Sequence, residues 1–499
     1  MEEFKLSDNI DSNKVFIVKR SELERFDPEM ALYSKKVFNF NFETKNLGKV
    51  LLKKPQYGAN ESGTERLTDE QPRYIRITDI DENGLLINNL GVTANTIESK
   101  YFLKNNDILI ARSGNTVGKA YIHKSKNINY ECFFAGYMIR FIVDENIILP
   151  EYVFTYTQLN IYKEWTKAIQ RTAGQPNINA EEYKSLPIPI PPLEIQSNIV
   201  EIINNAYIQK QQKETEAKAL LDSIDDYLLG ELGITLPKEE ERNLLLAAEP
   251  TVNYGNSGGF ELDKENLLVK KGRLFLTAFR EITGNRIAPL FYSLKFSHFV
   301  SGKYPTQLLK SIVVSLKSGI GAGKQDQLFD GSGYIQIRPT NIGEFGELLF
   351  TKNVYLPNDS QIDFLEVDDV LFNNTNSQEL VGKTAIVKTS DKLFYSNHIT
   401  VIKTNPQLLN PDYLSQILNC YQRHKVFYSI CTNWNNQSGV GIDLLKKLET
   451  PLPPLIKQNE IAQKIQSIRG KAKRLQEEAN SILETAKQQV EQMILGKGV

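Results

Sequence analysis

The sequence predicts an α+β protein built as a tandem repeat, in which a mixed globular domain leads into a long helix twice over. Three observations carry this. A proline-rich strap, Leu186–Leu193 with Pro187, Pro189, Pro191 and Pro192, opens a segment whose apolar residues recur at helical steps. The same signature returns at Leu448–Leu455, so that Leu186 maps to Leu448, Pro191 to Pro453 and Gln196 to Gln458, a common shift of 262 residues. Upstream of each strap lies the same succession of short strand patterns, glycine turns and one helical stretch.

The long helices are the clearest elements. Proline lacks a backbone donor and disfavours helix in the residue before it, so each helix starts only after its strap. In the first, Ile195, Ile199, Ile202, Ala206, Ala217, Leu220, Ile224 and Leu228 form one narrow stripe, the pattern of a coiled-coil seam. In the second, Ile461, Ile465, Ile468, Ala472, Leu475, Ala479, Ile482, Ala486 and Met493 follow heptad register. Leu193–Leu232 carries eight acids against three bases, and Leu455–Leu495 seven bases against five acids. Matching seams with opposite net charge suit the two helices to each other.

Composition sets the bounds. At 499 residues the chain exceeds one ordinary core, so at least two domains are expected. Hydrophobic residues at 41% and charged residues at 24% are the values of a globular protein. Three cysteines without paired spacing, Cys132, Cys420 and Cys431, argue against a disulfide framework and fit a reducing cytosol. The N-terminus MEEFKLSDN lacks the character of a signal peptide, and no run of about 18 apolar residues suggests a membrane span. A cytoplasmic protein is expected.

Taken in order, the chain divides into residues 1–190 as the first globular domain and 191–234 as the first long helix. Residues 235–258 form a linker, 259–452 the second domain and 453–499 the second helix. The first domain opens with RFDP at Arg25–Pro28, echoed by RIAP at Arg286–Pro289. Strands are expected at Arg73–Ile80 and Tyr334–Ile342 from alternation. Strand–turn–strand units are expected at Asn106–Ile122 and Asp368–Val387, the second with a longer turn. Further strands are expected at Phe133–Val143 and Phe394–Ile402, and helices at Pro150–Ala168 and Pro411–Tyr428. Polar loops, RTAGQPNIN and NWNNQSGVG, close the two domains.

The glycine turns fail as phosphate loops, which need G-x-x-x-x-G-K-[ST]. Gly114–Ala120 is one residue short and ends in alanine. Gly382-Lys383-Thr384 has Ser377 at the first glycine position, and Gly323-Lys324 is followed by Gln325 and preceded by Ser318. Cys420 and His424 stand one helical turn apart with no second pair at metal-ligand spacing, so core and rim is the expected role. Adenine methyltransferase signatures are absent beside Pro191-Pro192 and Pro453-Pro454. Glu216 and Lys218 resemble a nuclease fragment but fall on the coiled-coil helix. No catalytic residue, cofactor site or metal site is expected.

What recurs instead is side chains able to hydrogen-bond bases or phosphates, at matched places in both halves. In the first half these are Gln56, Tyr57, Asn60, Arg76, Arg112, Ser113, Asn115, Arg171, Gln175 and Asn177. In the second they are Lys317, Lys324, Gln325, Gln336, Arg338, Asn374, Asn376, Asn433, Asn436 and Gln437.

With these residues in view, the chain resembles the DNA specificity subunits of Type I restriction-modification systems. The carriers are RFDP and RIAP, YIRITDI and YIQIRPTNI, NDILIARSGNTVGKA and DDVLFNNTNSQELVGKTA, and the straps LPIPIPPLEIQ and ETPLPPLIKQ. The second half departs at Asn373–Gln378, where an amide-rich loop replaces the arginine-serine-glycine turn. The resemblance implies two tandem target recognition domains separated by two long helices, packed antiparallel as a coiled-coil spacer with a pseudo-two-fold repeat. It also implies a bipartite, gapped site on double-stranded DNA as the ligand, and as partners two modification subunits and the restriction subunits. S-adenosylmethionine, ATP and Mg2+ would then belong to those partners, with no cofactor on this chain. A helix of about 40 residues measures about 60 Å, against about 34–36 Å for one DNA turn, so half-sites one to two turns apart are expected. The alternatives are the same scaffold in a methylase-nuclease or methylase-only complex, an enzyme in its own right, and a coiled-coil protein without DNA affinity.

Overall fold

The structure is a computed structural model that describes residue 33 and residues 39–170, 175–236, 302–358, 363–434 and 437–495. The RFDP and RIAP segments and most of the expected linker lie outside these residues. The chain divides into two compact units, one of Met1–Glu214 with Gln476–Val499 and one of Thr215–Leu475. Both boundaries fall inside long helices, so each helix belongs partly to each unit.

In the first unit a four-stranded antiparallel sheet runs in the order Gln56–Tyr57, Met138–Phe141, Ile108–Ala111, Ala120–Ile122. Ile108, Ile110, Ile139 and Phe141 point to one side, where they pack with Tyr152, Tyr162, Trp165 and Tyr183. The same core takes in Ile199, Ile203 and Ala206 of the first long helix and Leu483, Ala486, Val490 and Ile494 of the second. On the opposite side, Leu109 and Met138 join a smaller core with Tyr74, Ile75, Phe133 and Phe134.

The second unit repeats the plan. Its sheet runs Val313–Ser318, Ile399–Thr404, Val370–Asn373, Thr384–Ile386. Val370, Phe372 and Ile402 meet the helix Pro411–Arg423, together with Ile224 and Leu228 of the first long helix and Ile461 and Ile465 of the second. The duplication extends to unusual backbone. Asn106 and Asp368, 262 residues apart, both have φ 73°. The straps pair identically, with Thr44 opposite Pro189 and Thr306 opposite Pro451.

Several expected elements are interrupted, for local reasons. The strand expected through Ile80 ends at Ile75 and becomes a 3-10 turn at Ile77–Asp79. There the Asp79 carboxylate accepts the Arg76 backbone N–H at 2.9 Å, taking the donor that a ladder would need. Asn341 does the same for Arg338, also at 2.9 Å, ending that strand at Ile337. The run Phe133–Val143 splits into Cys132–Phe134 and Met138–Phe141, and the run Phe394–Ile402 into Phe394–Tyr395 and Ile399–Thr404. The helix expected over Pro150–Ala168 is two helices, Pro150–Tyr156 and Asn160–Ile169. Its counterpart breaks likewise into Pro411–Arg423 and Val426–Ile430 at Lys425, whose φ is 61°.

The long helices span Leu193–Leu232 and Leu455–Ile494, 40 residues each. They run antiparallel. In the second unit Glu216 meets Lys471 at 3.4 Å and Glu231 meets Lys457 at 2.8 Å, and in the first Lys213 meets Glu478 at 2.6 Å. The acid-on-first, base-on-second pattern thus holds in two of these three pairs. The seam departs from strict heptads. Ile203 is buried rather than Ile202, and Leu483, Val490 and Ile494 rather than Ile482 and Met493. A helix of 3.6 residues per turn drifts about 20° per heptad, so its buried face steps over by one residue within a few heptads.

Candidate nucleic-acid interface

The first unit gathers three loops at one end of its four-stranded sheet. Gly58–Gly63 leaves the edge strand, Arg112–Val117 joins the two strands of a hairpin, and Gln175–Asn179 precedes the short helix Ala180–Lys184. They are fastened to each other. The Arg112 guanidinium lies over the Tyr57 ring at 4.9 Å, and its backbone N–H donates to Tyr137 O at 2.9 Å. The Tyr57 hydroxyl accepts the Ala180 N–H at 3.1 Å. Ser113 forms a bridge with Asn177, and Gly114, at φ 79°, leaves room for the Gln175 amide. Of the expected residues, Tyr57, Asn60, Arg112, Ser113, Asn115, Gln175 and Asn177 therefore share one surface, with Asn60, Asn115 and Gln175 exposed.

Arg76 stands beside Gly63, half-exposed and gripped by Asp79 through contacts of 3.0 and 3.2 Å. Gln56 does not join the group. Strand alternation turns it away from Tyr57, and its amide is engaged by Arg140 and Lys100 O. Arg171 lies outside the described residues.

The second unit builds its equivalent surface differently. Thr375 pairs with Gly439, 262 residues beyond the Ser113–Asn177 bridge in both partners, and here the pairing grows into a three-stranded ribbon. Its strands are Thr375–Asn376, Gln437–Gly439 and Thr432–Trp434. Asn376, Asn433 and Gln437 all sit on this ribbon, with Asn433 and Gln437 exposed. The Asn433 Oδ1 accepts from the Ser438 hydroxyl at 2.7 Å, which leaves its amide N–H groups for other partners. Lys324 and Gln325 are exposed on a 3-10 turn. Lys317 is paired with Asp363.

Three further expected residues work inside the domain. Gln336 is fully buried, donating to Ile320 O at 3.0 Å and accepting from Arg338 Nε at 2.8 Å. Arg338 also donates to Ala322 O at 3.3 Å. Asn374 is buried and donates to Asn397 O at 3.1 Å and to the Thr400 hydroxyl at 2.9 Å. Asn436 lies outside the described residues. Tyr137, 66% exposed, and Trp434, 46% exposed, stand on these two surfaces and were absent from the expectation. Their signal was an aromatic side chain set among glycine or amides, in AGY and NWNNQ.

The glycine turns within Gly114–Ala120 and Ser377–Thr384 lead from strand to strand, whereas a phosphate loop opens a helix. The Cys420–His424 pair acquires a third neighbour. Asp225 of the first long helix brings a carboxylate so that the three ligand atoms lie within 4.8 Å of one another. Arg423, however, clasps both Asp225 oxygens at 2.5 and 2.7 Å. Burial would raise the Asp225 pKa, but the hydrogen bonds from Arg423 and His424 outweigh it and hold the carboxyl far below the usual range. Burial also keeps the Cys420 thiol protonated. The donor set suits an ion pair that fastens the helix to its domain better than a cation site.

Residues 34–220 and 317–485, well over half of the chain, match the family described as the Type I restriction modification DNA specificity domain. The chain belongs to that family. Among similar proteins, the putative type I restriction enzyme MjaX specificity subunit of Methanocaldococcus jannaschii is 31% identical over 159 residues, which are 31% of this chain and 36% of that protein. This match thus spans about a third of that relative's length. The type I restriction enzyme StySPI specificity subunit of Salmonella potsdam is 23% identical over 417 residues, covering 81% of this chain and 76% of its own. The Type I restriction-modification S subunit from M. genitalium superposes with a TM-score of 0.42 at 10% identity, over 92% of this chain and 98% of that one. For a pair of specificity domains, the matched bridges place the same frame under two different sets of polar side chains. No described helix is long and apolar enough to cross a membrane.

Proposed function

We propose that the chain reads a two-part DNA sequence, one part with each specificity domain, and serves as the recognition subunit of a cytoplasmic restriction-modification complex. In this reading the chain itself catalyses nothing. Adenine methylation with S-adenosylmethionine and ATP-driven cleavage belong to modification and restriction subunits that it assembles on DNA.

The observation that carries the reading is the paired bridge. Ser113–Asn177 and Thr375–Gly439 occupy equivalent positions, yet one supports a compact loop cluster around Arg112 and Tyr57, and the other a ribbon bearing Asn376, Asn433 and Gln437. Arginine suits guanine and amides suit adenine. Two different polar surfaces on one repeated frame suit a site whose two halves differ.

Selection from a randomised duplex pool by the full chain assembled with its partner subunits tests this. The expected outcome is one gapped sequence with two conserved parts, bound with an affinity that falls steeply with salt. Salt-insensitive binding without sequence preference would overturn the reading and favour a coiled-coil protein without DNA affinity. Methyl transfer or cleavage by the purified chain alone would favour an enzyme.

A further inference from the structure

The first domain carries a basic cavity against its four-stranded sheet. It lies at the far end of the sheet from the recognition loops, beside Asp107 where Ile108–Ala111 begins rather than beside Arg112 where that strand ends. Its volume is about 330 Å³, and Lys53, Lys54, Gln56, Lys104, Asp107 and Arg140 are among its walls. Arg140 is the floor. It donates to Asp107 at 3.1 Å, to Phe102 O at 2.8 Å and to Gln56, while its buried Nε has no hydrogen-bond partner among the described residues. Asp107 offsets Arg140, and Glu98 offsets Lys100 at 2.6 Å. Lys53, Lys54 and Lys104 are exposed and form no ion pair among the described residues. The cavity therefore holds an excess of three positive charges.

The repeat provides an internal comparison. Register places Val401 where the first domain has Arg140, since Leu109 faces Arg140 and Leu371 faces Val401. Glu366 replaces Lys104, because the backbone N–H of each donates to the aspartate three residues on, at 2.8 and 2.9 Å. Lys317 stands where Gln56 does and is neutralised by Asp363. The scaffold aspartate is kept, but there Lys403 pairs with Asp369 at 3.6 Å and with Glu366, so the unpaired lysine at the Lys104 position and the arginine floor belong to the first domain.

We propose that this cavity binds a phosphoryl group, held by Lys53, Lys54 and Lys104 over the Arg140 floor. Lysine is a compact point charge suited to phosphate, and a concave site of this size admits one phosphoryl group more readily than a flat acidic protein surface. The group comes either from the backbone of DNA beside the first half-site or from a free phosphate compound. The DNA source rests on the function proposed above; the free source does not.

The test compares full-length protein with a Lys53→Gln/Lys54→Gln/Lys104→Glu variant, the last change installing the second domain's residue. A Lys310→Gln/Lys447→Gln/Lys464→Glu variant, altering exposed lysines elsewhere and removing the same amount of positive charge, controls for charge. DNA affinity is measured against salt, and pyrophosphate binding by calorimetry. With a DNA source, the cavity variant shows a salt slope shallower by about one to three, and the control by none. With a free source, pyrophosphate binds the wild type and the control at least tenfold more tightly than the cavity variant, and the salt slopes agree. Equal behaviour of all three proteins in both measurements, or an equal loss in the control, overturns the proposal. A chain that binds no DNA yet loses pyrophosphate binding in the cavity variant would sink the recognition function and leave the cavity standing.

Discussion

Gln196 and Gln458, 262 residues apart, make the same three hydrogen bonds. Gln196 accepts the Leu149 N–H at 2.8 Å and donates to Ile147 O at 3.1 Å and Pro191 O at 2.8 Å. Gln458 accepts the Asn410 N–H at 2.8 Å and donates to Leu408 O and Pro453 O, both at 2.9 Å. Each fully buried amide ties the first turn of a long helix to its strap and to the segment entering the domain's own helix. The direction in which each helix leaves its domain is set there.

Replacing either glutamine by methionine keeps the volume and leaves a buried N–H and two carbonyls without partners. Each substitution is expected to cost about 2–4 kcal/mol. A lowered midpoint in thermal or urea unfolding of the full chain reads this out. A change within a few tenths of a kcal/mol would show that the amide is dispensable.

Glycines in the repeat divide by geometry. Gly382 has φ 94°, and a Cβ there would stand 2.2 Å from the Phe427 ring, while at Gly118, with φ 89°, it would meet Thr166 at 2.9 Å. Gly382→Ala should cost about 2 kcal/mol or more, and Gly118→Ala somewhat less. Gly230 and Gly470, exposed within the long helices with nothing near a Cβ, should gain about 0.5–1 kcal/mol on replacement by alanine. Unfolding midpoints that move together in all four variants would refute the distinction.

His123 is buried beside the Tyr121 hydroxyl, 3.1 Å from its Nδ1, and burial lowers its pKa to about 4. The unfolded chain takes up this proton near pH 6.5 and the folded chain does not. Stability is therefore unaffected above about pH 6.5 and falls as pH drops from there towards 4, with a slope of up to about 1.4 kcal/mol per pH unit from this group. His123→Gln should reduce the slope in that window and leave stability at pH 8 insensitive to pH. An unchanged slope would mean that other groups carry the acid response.

Under the proposed function, the Arg112 surface and the Gln437 ribbon should fail independently. Arg112→Ala is expected to relax preference in one half-site by about 1–3 kcal/mol per affected base pair and leave the other unchanged. Gln437→Ala and Trp434→Ala should do the reverse. Competition binding with half-site substitutions decides this, and loss of both preferences from one substitution would argue for a shared surface.

Most of the frame is legible in the sequence. A repeat conserving Leu186/Leu448, Pro191/Pro453 and Gln196/Gln458 is legible because backbone constraints act locally: proline ends one element and helical periodicity begins the next. Strand ends were less legible. Asp79 and Asn341 close turns through side chains three residues from the donors they capture, and alternation alone does not register such competition.

For the candidate site, the fold brings several of the expected residues onto one surface in each unit and buries others inside the domain. Gln336 and Asn374 looked like base-reading amides in a polar run, but the fold buries them against Ile320 O, Asn397 O and Thr400. Gln56 was separated from Tyr57 by strand alternation, and Trp434 reached the surface through a ribbon whose pairing only a distant segment completes.

The sequence by itself determined the duplicated architecture, the two helices and the complementary charge along them, because these depend on periodicity and on residues near in the chain. Tertiary structure decided which helix face is buried, which polar groups are satisfied internally and which remain for a ligand. Those outcomes depend on partners far along the chain, such as Gly439 for Thr375 or Asp225 for Arg423, and on a helical period slightly longer than the heptad's.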